Sequence, residues 1–278
     1  MSKILISTSS FGTEGALKKL QEHGFEAVLN PHKRKLTTPE LRELLPSVIG
    51  LIAGTETIDR ETMKNSSLRV ISRVGTGMDN IDLAAAKELG IAVKNTPDAP
   101  TIAVAELTLG GILCLLRQTP QMHQAVCQKV WDKKMGVQLS GKTILIIGFG
   151  RIGKTLAKLL EPFNVKLMVA DPAVPGSSLK ESLSQADVIC LHAGGTKQVL
   201  GSDEFNLMKN GVFLINTARG ELLDEAALIE SLRSGRVAGA YIDVFSKEPY
   251  DGPLIEFSQV ILTPHIGSYA KECRTRME

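Results

Sequence analysis

The stretch TILIIGFGRIGKTLAKLLEPFNVKLMVAD, residues 143–171, predicts a strand, a glycine-rich turn, a helix and a second strand. An aliphatic run typical of a buried strand comes first, and apolar side chains at helical spacing follow the turn. The turn carries Gly148, Gly150 and Gly153, and the second strand ends in Asp171. A G-x-G-x-x-G turn with an acid about 20 residues later is the fingerprint of a dinucleotide-binding βαβ unit.

Each residue of this fingerprint has a physical role. Gly148 permits the tight turn, Gly150 lets the backbone approach a pyrophosphate, and Gly153 lets the helix pack closely on the strand. The N–H groups at the helix start then hold the phosphate charge. A carboxylate at Asp171 accepts hydrogen bonds from a ribose 2′-hydroxyl and repels a 2′-phosphate, and residues 172–175 offer no arginine for such a phosphate. We therefore predict NAD rather than NADP.

A competing motif covers the same turn. Residues 148–155 also spell G-x-x-x-x-G-K-T, the phosphate loop of ATP- and GTP-hydrolysing proteins. That loop needs neither Gly150 nor Asp171, whereas the dinucleotide fingerprint needs both, so the two residues favour the dinucleotide interpretation. A glycine turn that binds no nucleotide is the third interpretation, which Asp171 weakens.

Composition excludes several other classes of protein. A chain of 278 residues suits two domains, and a net charge of +2 gives no electrostatic footprint for nucleic acid. The longest apolar run, residues 102–116, contains Glu106 and is too short to span a bilayer. The chain begins with a strand pattern, so we expect no signal peptide, no membrane partner and a cytoplasmic protein. Its cysteines show no C-x-x-C spacing and are expected to be reduced thiols rather than metal ligands: Cys114, Cys127, Cys190 and Cys273.

The chain predicts two α/β domains. Residues 1–97 alternate strand and helix patterns, which indicates a doubly wound parallel sheet, and the proline-containing loop 95–100 marks a boundary. Residues 98–267 repeat that rhythm around the fingerprint and form the predicted NAD-binding Rossmann domain. Between them, residues 101–131 predict long helices that are apolar beyond one face. Such helices are buried either within the chain or against a second subunit, and the sequence leaves both open.

Polar residues follow several predicted strands of the second domain, where the carboxyl ends of parallel strands share one edge. These are Arg219, Asp243, Glu248 and His265. Arginine offers a planar fork for a carboxylate, and a histidine beside a glutamate is an oriented acid/base. With a nicotinamide, these parts suffice for hydride transfer to a 2-keto acid. Each also has a structural interpretation, such as a surface turn for Arg219, a solvated charge for Glu248 or a hinge for His265.

The first domain has one candidate anion site. Gly75, Thr76 and Gly77 follow a predicted strand, and two glycines there could let a small anion approach backbone N–H groups. An ordinary turn between a strand and a helix is the favoured interpretation when this domain is considered alone.

Together these segments resemble the D-isomer-specific 2-hydroxyacid dehydrogenases, and the resemblance covers nearly the whole chain. It is carried by RVGTGMDNID (73–82), NTPDAPTIAVAELTLG (95–110), GKTILIIGFGRIG (141–153), INTARGELLDEAAL (215–228), GAYIDVFSKEP (239–249) and ILTPHIGS (261–268). It implies a flavodoxin-like substrate or lid domain at 1–97. Residues 268–278 would be the truncated start of a segment in which the chain returns to that domain. It also implies a homodimer formed through 101–131.

The resemblance implies a role for each catalytic candidate. Arg219 would bind the substrate carboxylate and carbonyl, and His265 would exchange a proton with the carbonyl oxygen. Glu248 would pair with His265 and argues against formate as substrate. The implied cofactor-binding residues are Thr76, Gly148, Gly150, Arg151, Ile152, Gly153, Asp171, Thr196, Thr217, Ala218, Asp243 and Gly267, with Asp243 on the nicotinamide carboxamide. The implied substrate-binding residues are Arg73, Val74, Gly75, Gly77 and Arg219.

The substrate is less specified. Arg73, Trp131 and the lysines at 133 and 134 resemble the phosphoglycerate dehydrogenase branch, which favours 3-phosphoglycerate. Reduction of glyoxylate or hydroxypyruvate is the alternative, and a non-catalytic NAD-binding scaffold like the corepressor branch, or an inactive NAD-binding dimer, is another. Two departures matter. Gly194 stands where the family usually has proline, and the chain ends at Glu278 before the family's last helix, so we expect either a truncated coding sequence or a fragment.

Overall fold

The computed structural model describes residues 1–8, 11–12 and 14–278, and the chain divides into two compact units. The first unit comprises Met1–Pro100 with Ser268–Glu278, and the second comprises Thr101–Gly267. The sequence placed residues 98–100 in the second domain, whereas they group with the first unit, because the helix that opens the second unit begins only at Thr101. The predicted α/β class with two doubly wound parallel sheets is confirmed.

The first unit is a five-stranded parallel sheet with helices between the strands. Its strand order is β2-β1-β3-β4-β5, the flavodoxin-like order, which reverses direction between β1 and β3. The elements are β1 (Ser2–Ile6), α1 (Glu14–Glu22), β2 (Phe25–Leu29), α2 (Thr38–Leu44), β3 (Gly50–Ala53), α3 (Arg60–Lys64), β4 (Val70–Arg73), α4 (Leu83–Glu88), β5 (Ala92–Asn95) and, from the chain end, α11 (Lys271–Met277).

Short polar side chains begin the helices of this unit. The Asp59 carboxylate accepts from the Thr62 N–H before α3, and Asp82 accepts from the Ala85 N–H before α4. Each bond satisfies one of the N–H groups that a helix start leaves without a partner. The apolar faces of these helices pack on the sheet around the buried Leu5, Leu41, Leu51, Ile58 and Ile71.

The second unit is a six-stranded parallel sheet preceded by two helices. Its strand order is β11-β10-β9-β8-β6-β7, so the direction of winding reverses between β6 and β8. The elements are α5 (Thr101–Arg117), α6 (Thr119–Cys127), β6 (Thr143–Ile147), α7 (Arg151–Leu160), β7 (Lys166–Ala170), α8 (Leu179–Leu183), β8 (Val188–Leu191), α9 (Ser202–Leu207), β9 (Val212–Asn216), α10 (Glu225–Arg233), β10 (Val237–Ile242) and β11 (Val260–Leu262). Three 3₁₀ turns join them at Glu161–Phe163, Gly220–Leu222 and Pro253–Glu256.

The β6 strand is buried on both faces, as its unbroken aliphatic sequence predicts. Ile144 and Ile146 pack with α5 and α7, whereas Leu145 and Ile147 point to the opposite core under α8, α9 and α10. All four side chains are at most 3% exposed. Burying one such side chain contributes about 1.5–3 kcal/mol, so this strand is held firmly in the middle of the unit.

The turn after β6 makes close backbone contacts at the reversal point. Gly148 has φ +92°, and a Cβ at this position would overlap the backbone of His192 and Ala193 after β8. A Cβ at Gly153, in the first turn of α7, would overlap the carbonyl oxygen of Gly148. Two of the three fingerprint glycines are therefore required by the packing of the chain itself.

The helical segment before the fingerprint is shorter than predicted. The sequence placed a helix through Trp131, but α6 ends at Cys127 because Lys129 adopts a left-handed conformation with φ +61°. In the part of the chain that the structure describes, no single helix is long and apolar enough to cross a membrane. Taken together, α5 and α6 have the length and apolar composition of a span, but the pair is bent by 63°.

We predict that Gly153→Ala lowers the free energy of unfolding of the second unit by about 1–3 kcal/mol, because the added methyl group must displace the Gly148 carbonyl. Chemical denaturation followed by circular dichroism measures this loss. Gly194→Ala is the matched control: no heavy atom of the described chain beyond its neighbours comes within 4 Å of its Cβ position. Equal stability of the two variants would contradict the prediction.

Candidate active site

Asp171 ties the end of β7 to the glycine turn. Its Oδ2 accepts a 2.6 Å hydrogen bond from the Phe149 N–H inside the turn, and its Oδ1 accepts a 2.8 Å bond from the Ala173 N–H. These two backbone donors, with a smaller contribution from the charge of Lys154, lower the pKa of Asp171 below its ordinary value. The acid of the fingerprint is therefore ionised at neutral pH and held beside the turn.

The start of α7 distinguishes the two phosphate-binding motifs. The helix begins at Arg151, and Thr155 donates from Oγ1 to the Arg151 carbonyl at 2.9 Å. Gly153 and Lys154 thus lie in the helix, which leaves only residues 148–150 as a turn. This turn is too short to be the wide loop of an ATP- or GTP-hydrolysing protein. Gly150 precedes the helix, and no heavy atom of the described chain beyond its neighbours lies within 4 Å of its Cβ position, so a pyrophosphate has room to approach there.

The loop after β8 places a neutral histidine at the reversal point. Both ring nitrogens of His192 are buried, and neither has a hydrogen-bond partner among the described residues. Burial lowers the pKa of His192 to about 4. Thr196, a predicted cofactor residue, lies exposed further along this loop. The sequence marked this loop for Gly194 and Thr196 and did not predict the burial of the His192 ring nitrogens; the position of His192 directly after a buried strand was the available signal.

The loop that carries Arg219 is closed by a buried asparagine. Asn216 ends β9, accepts from the Ala218 N–H at 3.1 Å and donates from Nδ2 to the Arg219 carbonyl at 2.8 Å. The half-buried Arg219 guanidinium donates from Nη1 to the Ala218 carbonyl at 2.7 Å. Thr217 is buried, and its hydroxyl lies 2.9 Å from that of Thr108 on α5. The backbone around Arg219 is therefore held from both sides.

Gly220 brings this loop against the loop that follows β10. A Cβ at Gly220 would overlap the backbone of Phe245 and Ser246. The Phe245 ring stacks on Tyr250, with centroids 4.2 Å apart. The segment that carries Glu248 is consequently packed beside the segment that carries Arg219.

His265 and Glu248 form a close pair. The Nδ1 of His265 lies 3.0 Å from both carboxylate oxygens of Glu248, and Glu248 Oε1 also accepts from the Phe245 N–H at 3.2 Å. Both side chains are about one-third exposed. With Glu248 accepting from Nδ1–H, Nε2 is the ring nitrogen that can exchange a proton with a bound molecule. This is the geometry of an oriented general acid/base.

Asp243 is buried and anchors the loop that carries His265. It ends the β10 strand pairing and has no exposed surface. Its carboxylate accepts hydrogen bonds from Thr263, Ile266 and Gly267. Burial raises the pKa of Asp243 above its ordinary value, and these donors oppose that shift. The sequence suggested only a cofactor contact for Asp243, and it did not indicate that Thr263 takes part.

In the first unit, the loop after β4 is closed on itself. The Gly75 N–H donates to Thr96 Oγ1 at 2.8 Å, and the Thr96 N–H donates to the Gly75 carbonyl at 3.0 Å. The Thr76 carbonyl accepts from Asn95 Nδ2 at 2.7 Å. The Arg73 guanidinium donates to the Val74 carbonyl and occupies the space that a Cβ at Gly75 would need. The Gly75 N–H is therefore engaged within the loop, and the substrate contact that the resemblance implies for Gly75 stays a prediction.

The remaining predicted cofactor residues lie at the same sheet edge of the second unit. Gly267 is buried and donates its N–H to Asp243 at 2.9 Å, whereas Arg151 is exposed and Ile152 half-buried at the start of α7. Among residues 1–8, 11–12 and 14–278, no group of three or more histidine, cysteine, aspartate or glutamate side chains is placed to hold a metal ion. The edge offers a glycine turn, an ionised acid, an arginine and an oriented histidine.

Comparison with known proteins points to one family. A family model described as "D-isomer specific 2-hydroxyacid dehydrogenase, NAD binding domain" matches residues 109–267. The curated D-3-phosphoglycerate dehydrogenase of Methanocaldococcus jannaschii is 37% identical, in a match that covers 99% of this chain and 55% of that protein. The chain thus spans about half the length of the curated relatives it matches.

Solved structures share the fold over nearly the whole chain. The TT0316 protein of Thermus thermophilus superposes with a TM-score of 0.89 at 34% identity, covering 99% of this chain and 93% of that one. A glyoxylate reductase from Paecilomyes thermophila superposes with a TM-score of 0.87 at 29% identity, covering 99% and 92%.

We predict that His192 makes the fold less stable in acid. The unfolded chain binds a proton with a pKa near 6.5 and the folded chain only near 4, so stability is lost as pH falls through that window. Between pH 7 and pH 5 the loss is about 2 kcal/mol from this one group. Urea denaturation at both pH values should show that His192→Leu lacks this share of the pH dependence.

His23→Leu is the control, because His23 is exposed and its ring bonds to the nearby Lys19 carbonyl. That variant should keep the full pH dependence. If His192→Leu loses as much stability between pH 7 and pH 5 as the unmodified protein does, the ring is not held neutral by burial.

Proposed function

The chain belongs to the D-isomer-specific 2-hydroxyacid dehydrogenase family, and on that premise we propose that it transfers a hydride between NAD and C2 of a 2-hydroxy acid or 2-keto acid. The observation that carries the proposal is the pairing of His265 Nδ1 with both oxygens of Glu248 at 3.0 Å. This pair follows the strands whose carboxyl ends form the same edge as the glycine turn of the NAD-binding domain.

The cofactor would be held by the residues of the glycine turn and its surroundings. The N–H groups at the start of α7 would meet the pyrophosphate beside Gly150, where a side chain is absent. Asp171, ionised and held by Phe149, would accept from the ribose hydroxyls and repel a 2′-phosphate, which favours NAD over NADP. When bound, NAD accepts the hydride in oxidation and NADH supplies it in reduction.

The protein's own residues would handle the proton and the carboxylate. In reduction, Nε2 of His265 gives its proton to the carbonyl oxygen, and the Glu248 carboxylate stabilises the charged ring before that transfer and orients it. In oxidation, Nε2 takes the proton from the hydroxyl. Arg219, on its closed loop, provides a planar pair of donors for the substrate carboxylate. In the first unit, Arg73, Val74, Gly75 and Gly77 stay predicted substrate residues and Thr76 a predicted cofactor residue.

For the substrate we propose 3-phosphoglycerate and its keto acid, because the curated relatives at 37–38% identity are named for that activity. A glyoxylate or hydroxypyruvate reductase is the second candidate, favoured by the similarity to a solved glyoxylate reductase. We place the protein in the cytoplasm, a proposal supported by its four free cysteines, all of which lie among the described residues.

We also propose that the second unit forms a homodimer through the segment at 101–131 and the residues that follow it. Beyond α6 the chain has no regular structure up to residue 142, yet it presents large apolar side chains. Trp131 is 80% exposed and Met135 92% exposed, and Val126 and Val130 are half exposed. Large exposed apolar side chains so close along the chain are typical of a protein interface, and a second copy of the chain would bury them symmetrically.

The proposed activity is tested with this 278-residue chain, NADH and a panel of 2-keto acids, followed by nicotinamide absorbance. The panel contains phosphohydroxypyruvate, hydroxypyruvate, glyoxylate and pyruvate, so the preferred substrate identifies the branch. Turnover on one of them supports the dehydrogenase. NADH binding without any turnover would reject this activity for the chain and favour an NAD-binding scaffold or an inactive dimer.

We predict that Arg219→Ala lowers kcat/KM by about 10- to 100-fold, because a hydrogen-bonded charge pair with the substrate carboxylate contributes about 1.5–3 kcal/mol. Arg219→Lys should recover only part of the loss, since lysine lacks the planar fork. Arg60→Ala is the control, because Arg60 pairs with Glu88 in the first unit. Near-normal turnover in Arg219→Ala would show that Arg219 does not bind the substrate carboxylate.

We predict that Trp131→Asp weakens or abolishes the dimer, because a charge would replace the most bulky apolar side chain of the exposed segment. Sedimentation velocity over a range of protein concentrations measures the change. Ile255→Asp is the matched control, since Ile255 is 62% exposed in the same unit but lies outside this segment. A monomeric unmodified protein, or equal association of both variants, would reject this interface.

A further inference from the structure

The loop that carries His265 is fastened on both sides by one buried carboxylate. Asp243 Oδ1 accepts from Thr263 Oγ1 at 2.6 Å and from the Ile266 N–H at 2.8 Å. Its Oδ2 accepts from the Gly267 N–H at 2.9 Å. The donors lie two positions before His265 and one and two positions after it. The position of His265 therefore depends on the orientation of the Asp243 carboxylate.

The backbone at His265 needs this fastening. His265 has φ +54°, a left-handed conformation that is unfavourable for a residue with a Cβ and persists where the surroundings hold it. Its N–H points back into the turn and lies 2.9 Å from the carbonyl oxygens of both Asp243 and Thr263. If the carboxylate bonds were released, the loop could relax to a more common conformation and carry the ring away from Glu248.

Tyr241 extends the network from inside the sheet. Its hydroxyl oxygen lies 3.0 Å from Thr263 Oγ1. An ionised carboxylate can only accept hydrogen bonds, so the single hydroxyl proton of Thr263 is directed to Asp243. Tyr241 must then donate to Thr263, and each bond in the series strengthens the next by polarising it. The series runs in one direction, from Tyr241 through Thr263 to Asp243.

Packing fixes the Tyr241 hydroxyl in place. The residue lies on β10, and its side chain is 4% exposed. Its ring lies against Gly111 of α5, where an added Cβ would come within 2.8 Å of the ring carbon Cγ. Glycine at 111 thus makes room for the tyrosine ring. The hydroxyl of a ring held so tightly has little freedom to leave Thr263.

We propose that Tyr241 and Thr263 are positioning residues for proton transfer by His265. They act through Asp243, which holds the His265 loop in its left-handed turn, and they touch neither substrate nor cofactor in this role. The inference rests on the proposed function of His265 as the acid/base. It assigns the Asp243 carboxylate a structural task in addition to the cofactor contact that the family resemblance implies.

The test compares Tyr241→Phe and Thr263→Val, which each delete one hydroxyl, with Thr263→Ser, which keeps it. In both deletion variants we expect kcat to fall about tenfold while KM for NADH changes less than about twofold, because the loss falls on the transition state. Hydrogen exchange at the Ile266 and Gly267 amides should quicken by about tenfold, with amides of β6 and β8 unchanged. Thr263→Ser should restore both readouts, and Tyr269→Phe, at an exposed tyrosine, should alter neither.

Each outcome bears on the proposal separately from the activity itself. Unchanged kcat and unchanged exchange in Tyr241→Phe would overturn it, and so would a rise in KM for NADH as large as the fall in kcat. If the unmodified chain turns over no 2-keto acid, the proposed function fails. The exchange experiment still tests whether Tyr241 and Thr263 hold the His265 loop through Asp243. Faster exchange confined to Ile266 and Gly267 then supports the network, and unaltered exchange rejects it.

Discussion

Close backbone contact at the strand-order reversal between β6 and β8 is the constraint on which the second unit depends. The turn after β6 can pass beside the loop after β8 only because Gly148 has no side chain, and α7 can begin at once only because Gly153 leaves room for the Gly148 carbonyl. The Phe149 N–H then donates to Asp171, and this bond joins the turn to the loop that follows β7. One short turn thereby sets the relative positions of the helix start, the acid and the buried His192.

The far side of the same edge is built on a different principle. Three loops follow β9, β10 and β11, and the loops after β9 and β11 are each fastened by a buried polar group at a strand end. Asn216 closes the loop of Arg219, and Asp243 closes the loop of His265. Hydrogen bonds to buried groups are strong where water cannot compete, and leaving such groups without partners is costly. These bonds therefore hold the loops that carry Arg219 and His265 in place, and they orient the His265 ring toward Glu248.

Local patterns predicted a large part of this arrangement. The unbroken aliphatic run of β6, the glycine spacing and Asp171 indicated the βαβ unit, since each depends on neighbours within about 30 residues. The positions of Arg219, Glu248 and His265 after strands placed them at one edge, because parallel strands share that edge. The end of α6 at Cys127, the burial of His192 and the engagement of the Gly75 N–H were not predictable in this way. The last two depend on contacts with residues distant in the chain, whereas α6 ends at the left-handed backbone of Lys129.

The sequence by itself determined the α/β class, the dinucleotide turn with its acid, and the family to which the chain belongs, because these are written in residue types at fixed short spacings. Only the tertiary structure decided which strands are neighbours, where the winding reverses, and that Asp243, Thr263 and Tyr241 join behind His265. Tyr241 lies 22 residues before Thr263, and the two meet only because β10 and β11 pair in one particular register. Register depends on the burial of whole faces of the sheet, which no single stretch of sequence specifies.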